Sequence, residues 1–411
     1  MSSNILVLNR WPQYPAGDRW DNELARYRDL ISHTQNNVTY ICDSVGQQGV
    51  TVNCGASSHI HVVTDFANTD EVISLIGKLI QRNGTFDHVI AFSEYLLDIA
   101  ALIRGRYGIP GPKPADVDRF RDKTTMKAIL QRAQIRVPHW VLCDNPEQML
   151  ADAEILGFPL ILKPRRGASS KGVRKIETVR ELVSAFDGLT FVDYEMEEYV
   201  DGDMLHADGV VDCDGNCLFL CISRYIAPCL AFEQGTPLGS IIQTQPLAKY
   251  HQFALRCLAA LKLRSSAFHL EFFDTEKELV FLEIGARVPG ADVSYVVHDV
   301  YGVNLFQLWV DVSLGRRTSP YHCSSRDSGG WLTIPRPQPL PQKVLHATPL
   351  LGKVPFLYRE LVPKAGDILE DVGGYASLQG GRFLFRGGTE HQIAEAIRVA
   401  QSQYTLETTQ L

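Results

Sequence analysis

Residues 268–290 read FHLEFFDTEKELVFLEIGARVPG. Two apolar runs flank the polar stretch DTEKE at 274–278, a pattern that predicts a β-hairpin. Glu271 and Glu283 each lie near the end of one run, and Arg287 follows four residues after the second glutamate. Folding the hairpin brings the two carboxylates to neighbouring positions on adjacent antiparallel strands. Side by side, they repel unless a cation stands between them. Mg²⁺ together with a phosphate answers that need, because magnesium is held by one or two carboxylates plus phosphate oxygens. Arg287 can then reach a phosphoryl or carboxylate oxygen as a two-pronged donor. A surface hairpin with incidental acids is the plainer reading. The apolar residues on either side of both glutamates argue against it.

Two stretches upstream carry related chemistry. FPLILKPRRGASSKGV, at 158–173, ends an apolar strand on Lys163 and continues into a loop rich in glycine, serine and basic residues, Arg165 to Gly172. A buried lysine needs an anion. A loop of this composition can aim backbone N–H groups and the donors of Ser169, Ser170 and Lys171 at a phosphate. It lacks the P-loop spacing, and a strand rather than a helix is expected after it. An ordinary glycine-rich hairpin loop is the competing reading. EMEEYVDGDMLHADGVV, at 195–211, predicts two strands around the Asp201–Gly202 turn, with His206 and Asp208 on one face of the second. An extended backbone here can meet a purine edge and a nearby carboxylate can hold a ribose; a charged surface hairpin also explains the pattern.

The first 112 residues alternate short apolar strands with helices, which predicts an open parallel sheet of Rossmann type. The expected strands are NILVL, NVTYICD, HIHVV and FDHVIAFS; the expected helices are DNELARYRDLISH, capped by Asp21 or Asn22, then TDEVISLIGKLIQRNG and EYLLDIAALIRGRYG. No glycine-rich dinucleotide fingerprint follows the first strand, so no nicotinamide site is expected. After the Pro/Gly-rich connector GIPGPKPADV and a helical stretch, DRFRDKTTMKAILQRA, the rhythm changes to paired antiparallel strands. The tail predicts a hairpin near YASLQGGRFLFRGG and a last helix, EHQIAEAIRVAQSQY. The fold class is therefore α/β followed by α+β. The expected divisions are 1–112, 113–195 and 196–411.

Bulk properties narrow the function. The chain has 411 residues, 45% hydrophobic and 21% charged, with a net charge of −7. Such a balance suits a globular protein and offers no electrostatic basis for binding nucleic acid or an anionic membrane. No signal peptide or membrane span is legible, and the nine cysteines are scattered. The cytoplasm is the expected location. Cys213, Cys217 and Cys221 recur every four residues, but DGN between the first two is a turn signal, so they read as small buried thiols on a hairpin rather than a metal site. His59 and His61 read as part of a strand.

Taken together, the three stretches resemble the ATP-grasp superfamily over roughly residues 90–315, including the order of the parts. The resemblance implies an ATP-grasp fold: an N-terminal Rossmann-like parallel-sheet domain followed by antiparallel-sheet ATP-binding domains. It also implies ATP and two Mg²⁺ ions, with Mn²⁺ able to substitute. By that resemblance Lys123 and Lys163 contact the nucleotide, and the loop with Ser169, Ser170 and Gly172 covers the phosphates. Glu197, Glu198 and Val200 form the adenine hinge, Asp203 holds the ribose, Glu271 and Glu283 bridge the metals, and Arg287 stabilises the transferring phosphoryl group. The family often reads Glu-x-Asn at the second metal ligand, whereas this chain reads Glu283-Ile284-Gly285. The EIGAR ending with GDMLHADG upstream looks closer to bacterial L-amino-acid ligases, in which a histidine like His206 lies near the phosphates and the acyl intermediate. The implied reaction activates a carboxylate as an acyl phosphate and passes it to an amine, joining two amino acids and releasing ADP and phosphate. The implied partners are small amino acids, with a homodimer as a possible assembly. Alternatives are a ligase that loads a carrier protein or another amine acceptor, a biotin-dependent carboxylase component, and a nucleotide-binding module without catalysis.

Overall fold

The computed structural model describes residues 2–11, 23–54, 59–244, 248–316, 318–321, 327–370 and 380–411. The chain opens with four parallel strands in the spatial order Ile60–Val62, Asn37–Cys42, Asn4–Asn9 and His88–Ala91. Their near-continuous apolar runs are those of a sheet covered on both faces. Helix Thr69–Asn83 begins where the Asn68 side chain accepts from the Glu71 amide, and helix Leu97–Tyr107 ends at Gly108 in the left-handed conformation, φ 68°.

Three local expectations change. Helix Ser44–Cys54 fills the crossover between the second and third strands, although its glycines and β-branched residues lower its intrinsic propensity. A side chain at Gly46 would come 2.2 Å from the Asn9 carbonyl oxygen, so the glycine lets this helix lie directly on the first strand. The helix expected over DNELARYRDLISH is, in its described part, a 3₁₀ turn at Glu23–Ala25 and a single α-turn at Tyr27–Leu30, broken at Arg26 by extended backbone. Asp21 and Asn22, the expected caps, lie outside the described residues. The stretch after the connector is also split. A 3₁₀ turn, Asp118–Phe120, precedes helix Lys123–Arg132, because the Asp122 carboxylate accepts from the amides of Thr124 and Thr125 and starts a new helix there.

A four-stranded antiparallel sheet follows, in the order Trp140–Leu142, Tyr194–Glu198, Leu160–Pro164 and Arg174–Ile176. The last of these strands follows the glycine-rich loop, as the sequence predicts. The main sheet has eight antiparallel strands: Leu279–Gly285, Ser266–Asp274, Asp203–Val211, Cys217–Tyr225, Leu238–Ile242, Ser328–Thr333, Arg382–Gly388 and Leu357–Leu361. On its far face, Leu205, Leu270 and Phe272 pack against helix Ala248–Leu261, and Ile241, Phe383 and Phe385 pack against helix Glu390–Gln403. The near face divides in two. Val210, Phe219 and Ala267 share one core with helix Leu305–Ser313 and with Phe92 and Leu97 of the N-terminal sheet layer. His206, Asp208, His269 and Glu271, farther along the same strands, make a polar layer instead.

The expected tail hairpin lies partly on residues outside the described ones; its described part, Arg382–Gly388, pairs with Ser328–Thr333 and Leu357–Leu361. A small sheet of Ile368–Leu369, Gln342–Ala347 and Leu406–Gln410 closes the chain. Cys217 and Cys221 lie on one strand, and Cys213 is exposed in the turn before it. Among the described residues, no helix is long and apolar enough to cross a membrane.

Candidate active site

The hairpin at 266–285 forms as its sequence implies, and Glu271 and Glu283 are register partners across it. A bulge follows Glu271, between Glu271 and Phe272, where the ladder slips by one residue. Each carboxylate is held by its own partners. Glu271 accepts from the Tyr225 hydroxyl at 2.8 Å and lies 3.4 Å from His269 Nε2. Glu283 lies 3.0 Å from Lys123 Nζ. Burial opposes the Glu283 charge, but Lys123, Lys163 and Arg287 outweigh it and hold the group at about 2. Glu283 is therefore charged at neutral pH, and Glu271 offers a carboxylate held in place by Tyr225. Two such groups side by side are the hard-ligand arrangement that suits Mg²⁺.

The cleft beside the hairpin has a volume of about 290 Å³ and runs between the two antiparallel sheets. Of the residues singled out from sequence, Lys123, Lys163, Ser170, Glu197, Glu198, Val200, Glu271 and Glu283 line it. Ser169, Gly172, Asp203, His206 and Arg287 do not.

Lys163 is buried, 3% exposed, so it does not reach out to solvent. Its Nζ is 2.5 Å from Glu197 and 3.9 Å from Glu195. Lys127, fully buried, completes the group with Nζ 2.8 Å from Glu195 and 2.7 Å from Glu197. Two ammonium and two carboxylate groups thus share one interior site. Burial works against the Lys163 charge, and Glu197 and Glu195 reverse that and raise its pKa. The Glu197 carboxylate is spent on these lysines. Only the chain that follows it, at Glu198 to Val200, remains to meet a planar ligand. Lys127 escaped the sequence reading because it sits inside a helix, TTMKAIL, with no loop or glycine to mark it.

The glycine-rich loop adopts left-handed backbone at Ser169, Ser170 and Gly172 (φ 59°, 53° and 77°). Its two arginines tie it down. Arg165 Nη2 meets Asp122 at 2.7 Å, and Arg166 pairs with Asp118 and lies 3.3 Å from Asp98. The cleft's other cover is the 226–237 segment, whose short helix Cys229–Glu233 lies over Glu271; Cys229 Sγ is 3.8 Å from that carboxylate.

Asp203 lies outside the cleft because strand residues alternate faces. It pairs with Arg224 on the opposite side, and Met204 takes the cleft position. His206 is completely buried. It stands opposite Glu271 in register and is a link in a chain of hydrogen bonds. Its Nε2 meets Ser240 Oγ at 2.8 Å and its Nδ1 meets Asp208 at 2.5 Å; the other Asp208 oxygen is 2.7 Å from His269 Nδ1, and His269 reaches Glu271. Asp208 is fully buried, yet the two histidines hold its carboxyl well below the usual range. His206 therefore connects to a metal-ligand candidate through Asp208 and His269 and does not line the cleft.

Arg287 Nε donates to Glu94 at 2.6 Å, and Arg121 pairs with the same carboxylate. Burial opposes the Arg287 charge, and Glu94 more than restores it. Glu94, from the N-terminal layer, was not singled out from sequence; its partner lies 193 residues away, beyond any local signal. Gly285 stands where Glu-x-Asn would place an amide. A side chain there would meet Arg287 Cγ at 3.3 Å and Nε at 3.4 Å, so the arginine occupies that space.

Residues 156–294 match the ATP-grasp domain model, and the chain has the ATP-grasp fold: two antiparallel sheets enclosing a cleft behind an N-terminal parallel sheet. The chain is similar to the L-arginine-specific L-amino acid ligase of Bacillus subtilis, 23% identical over 387 residues that span 90% of this chain and 92% of that one. A crystal structure of an L-amino acid ligase from Bacillus licheniformis matches with a TM-score of 0.75 at 19% identity, covering 99% of this chain and 98% of that one. The biotin carboxylase domain of Hydrogenobacter thermophilus 2-oxoglutarate carboxylase, solved with MgADP, matches with a TM-score of 0.71 at 16% identity, covering 99% and 91%.

Proposed function

We propose that this protein is an ATP-dependent ligase that joins two L-amino acids through an acyl phosphate, releasing ADP and phosphate. One observation carries the reading: the Glu94–Arg287 ion pair stands within electrostatic reach of Glu283. A zwitterionic substrate needs an anion for its ammonium and a cation for its carboxylate. Glu94 and Arg287 offer both beside the residues suited to metal and phosphate.

Glu271 and Glu283 would hold Mg²⁺, which when bound neutralises charge on the phosphate oxygens. Lys123 and Lys163 face the cleft and bind the nucleotide's anionic end. The Ser170 loop and the Cys229–Glu233 segment exclude water, which an acyl phosphate requires. A donor carboxylate oxygen attacks the γ-phosphorus, and the bond to ADP breaks. The acceptor nitrogen then attacks the acyl carbon, phosphate leaves, and the amine proton passes to solvent or phosphate. Arg287 stabilises the equatorial charge in the first step and orients the carboxylate in the second.

Incubation with ATP, Mg²⁺ and mixed L-amino acids, followed by mass spectrometry, tests this. The expected product has the mass of two residues plus water, with ADP as the nucleotide. AMP in stoichiometric amount rules the reading out. Phosphate release that needs an added carrier protein transfers it to the carrier-loading alternative.

A further inference from the structure

A second cavity, of about 440 Å³, lies between the N-terminal layer and the main sheet and shares no lining residue with the ATP cleft. Its walls are apolar: Ile90 from the edge strand, Phe92 just after it, Leu97, Phe120, Leu263 and Trp309. Its charged groups are mainly cationic. Arg104, Lys262 and Arg264 line it, and Asp116 is its one carboxylate. Asp116 is already engaged, accepting from the Lys113 amide at 3.0 Å and lying 3.4 Å from Arg119.

Among the described residues, no carboxylate pairs with any of the three cations. Arg104 Nη2 donates to the Val89 carbonyl at 2.7 Å, and Arg264 Nη1 donates to the carbonyl of Leu263 at 2.8 Å. Burial alone pulls the Arg104 guanidinium down to about 10, with no anion to offset it. It stays charged at neutral pH. The backbone is built around it, since a side chain at Gly111, φ 111°, would come 2.9 Å from Arg104 Nε. Among the described residues, Arg121 and Arg287 are matched by Glu94, and Arg382 by Asp292. Arg104 departs from that pattern, and it does so at the wall of a cavity of ligand size.

We propose that this interdomain cavity binds a small organic acid with an apolar body and a single carboxylate, the carboxylate on Arg104 and the body against Phe92 and Trp309. A guanidinium short of acceptors favours a carboxylate, which it can grip with two N–H groups. The apolar walls exclude a heavily charged ligand such as a nucleotide, whose several charges three cations in this lining could not all reach.

Phenylacetate and its uncharged counterpart, phenylacetamide, test the proposal by calorimetry on the full-length protein saturated with ADP and Mg²⁺. Phenylacetate should bind saturably, about tenfold or more tighter than the amide, the ratio expected for a charge-assisted contact. Arg104→Met should remove that preference, and Lys262→Glu, an exposed change that leaves the fold intact, should weaken the acid but not the amide. Arg287→Met should leave both affinities unchanged. Equal affinity for acid and amide overturns the proposal. So does loss of phenylacetate binding in Arg287→Met with retention in Arg104→Met, which would put the acid at the Glu94–Arg287 pair. None of these readouts depends on turnover, so the proposal and the ligase reading stand or fall separately.

Discussion

Glu271 and Glu283 face each other as register partners on two antiparallel strands, yet their supports come from different parts of the chain. Tyr225 and His269, on the main sheet, hold the first. Lys123, at the start of a helix outside both sheets, holds the second. The pair is thus prearranged by elements that bury their own apolar faces elsewhere.

Glu283→Gln should keep the fold and lose turnover by about 100-fold or more, the cost of removing one group that stabilises transition-state charge. Circular dichroism should be unchanged while the Mg²⁺ concentration for half-maximal rate rises. Normal turnover with normal magnesium dependence would dismiss the hairpin as the metal site.

The two buried lysines should separate. Lys127→Met leaves Glu195 and Glu197 with one cation between them and should cost about 3–5 kcal/mol of stability, as breaking buried ion pairs does. Lys163→Ala should destabilise too, and in addition weaken ATP binding, because only Lys163 lines the cleft. Urea unfolding and nucleotide calorimetry on both variants distinguish the roles; equal ATP affinity for wild type and Lys163→Ala contradicts the assignment.

Glu94→Gln should raise KM for the amino acid about tenfold or more, since a charged partner for the ammonium is lost. It should also change the pH dependence of stability. Burial opposes the Glu94 charge, but Arg287 and Arg121 prevail and its pKa is lowered. A depressed carboxyl contributes its full stability above the unfolded value, ordinarily near 4.5, and loses it as pH falls through the lower folded value. The stability gap between wild type and Glu94→Gln should therefore be constant at neutral pH and shrink below about 4.5. A gap that widens on acidification would refute the pairing.

His206→Gln should reduce turnover and Mg²⁺ affinity by about 10–100-fold, the range for partners that orient a metal ligand, without altering the affinity for ATP alone. A residue touching the transferring phosphate would cost more and would change the nucleotide affinity. Magnesium titrations at fixed ATP decide between the two.

Much of this site is written in local pattern. Strand alternation and the DTEKE turn bring Glu271 and Glu283 to neighbouring positions, because a hairpin's register follows from its turn and its buried face; the turn's register alone would set Leu282 opposite Glu271, and the bulge makes Glu283 its partner instead. The Rossmann-like opening, the antiparallel middle and the glycine-rich loop are equally local, each signalled by periodicity or by residues that permit unusual backbone. The same alternation rule already separates Asp203 from His206, three positions along one strand and so on opposite faces.

What only the tertiary structure decided is which side chains meet across the sequence. Glu94 joins Arg287 over 193 residues, and Lys127 joins Glu197 over 70. His206 reads as a candidate for the cleft, but it is completely buried beside Glu271, its register partner. Periodicity identifies the face on which a residue lies and says nothing of what is packed upon that face. A buried charge needs its counterpart in three dimensions, and that counterpart is free to come from anywhere in the chain.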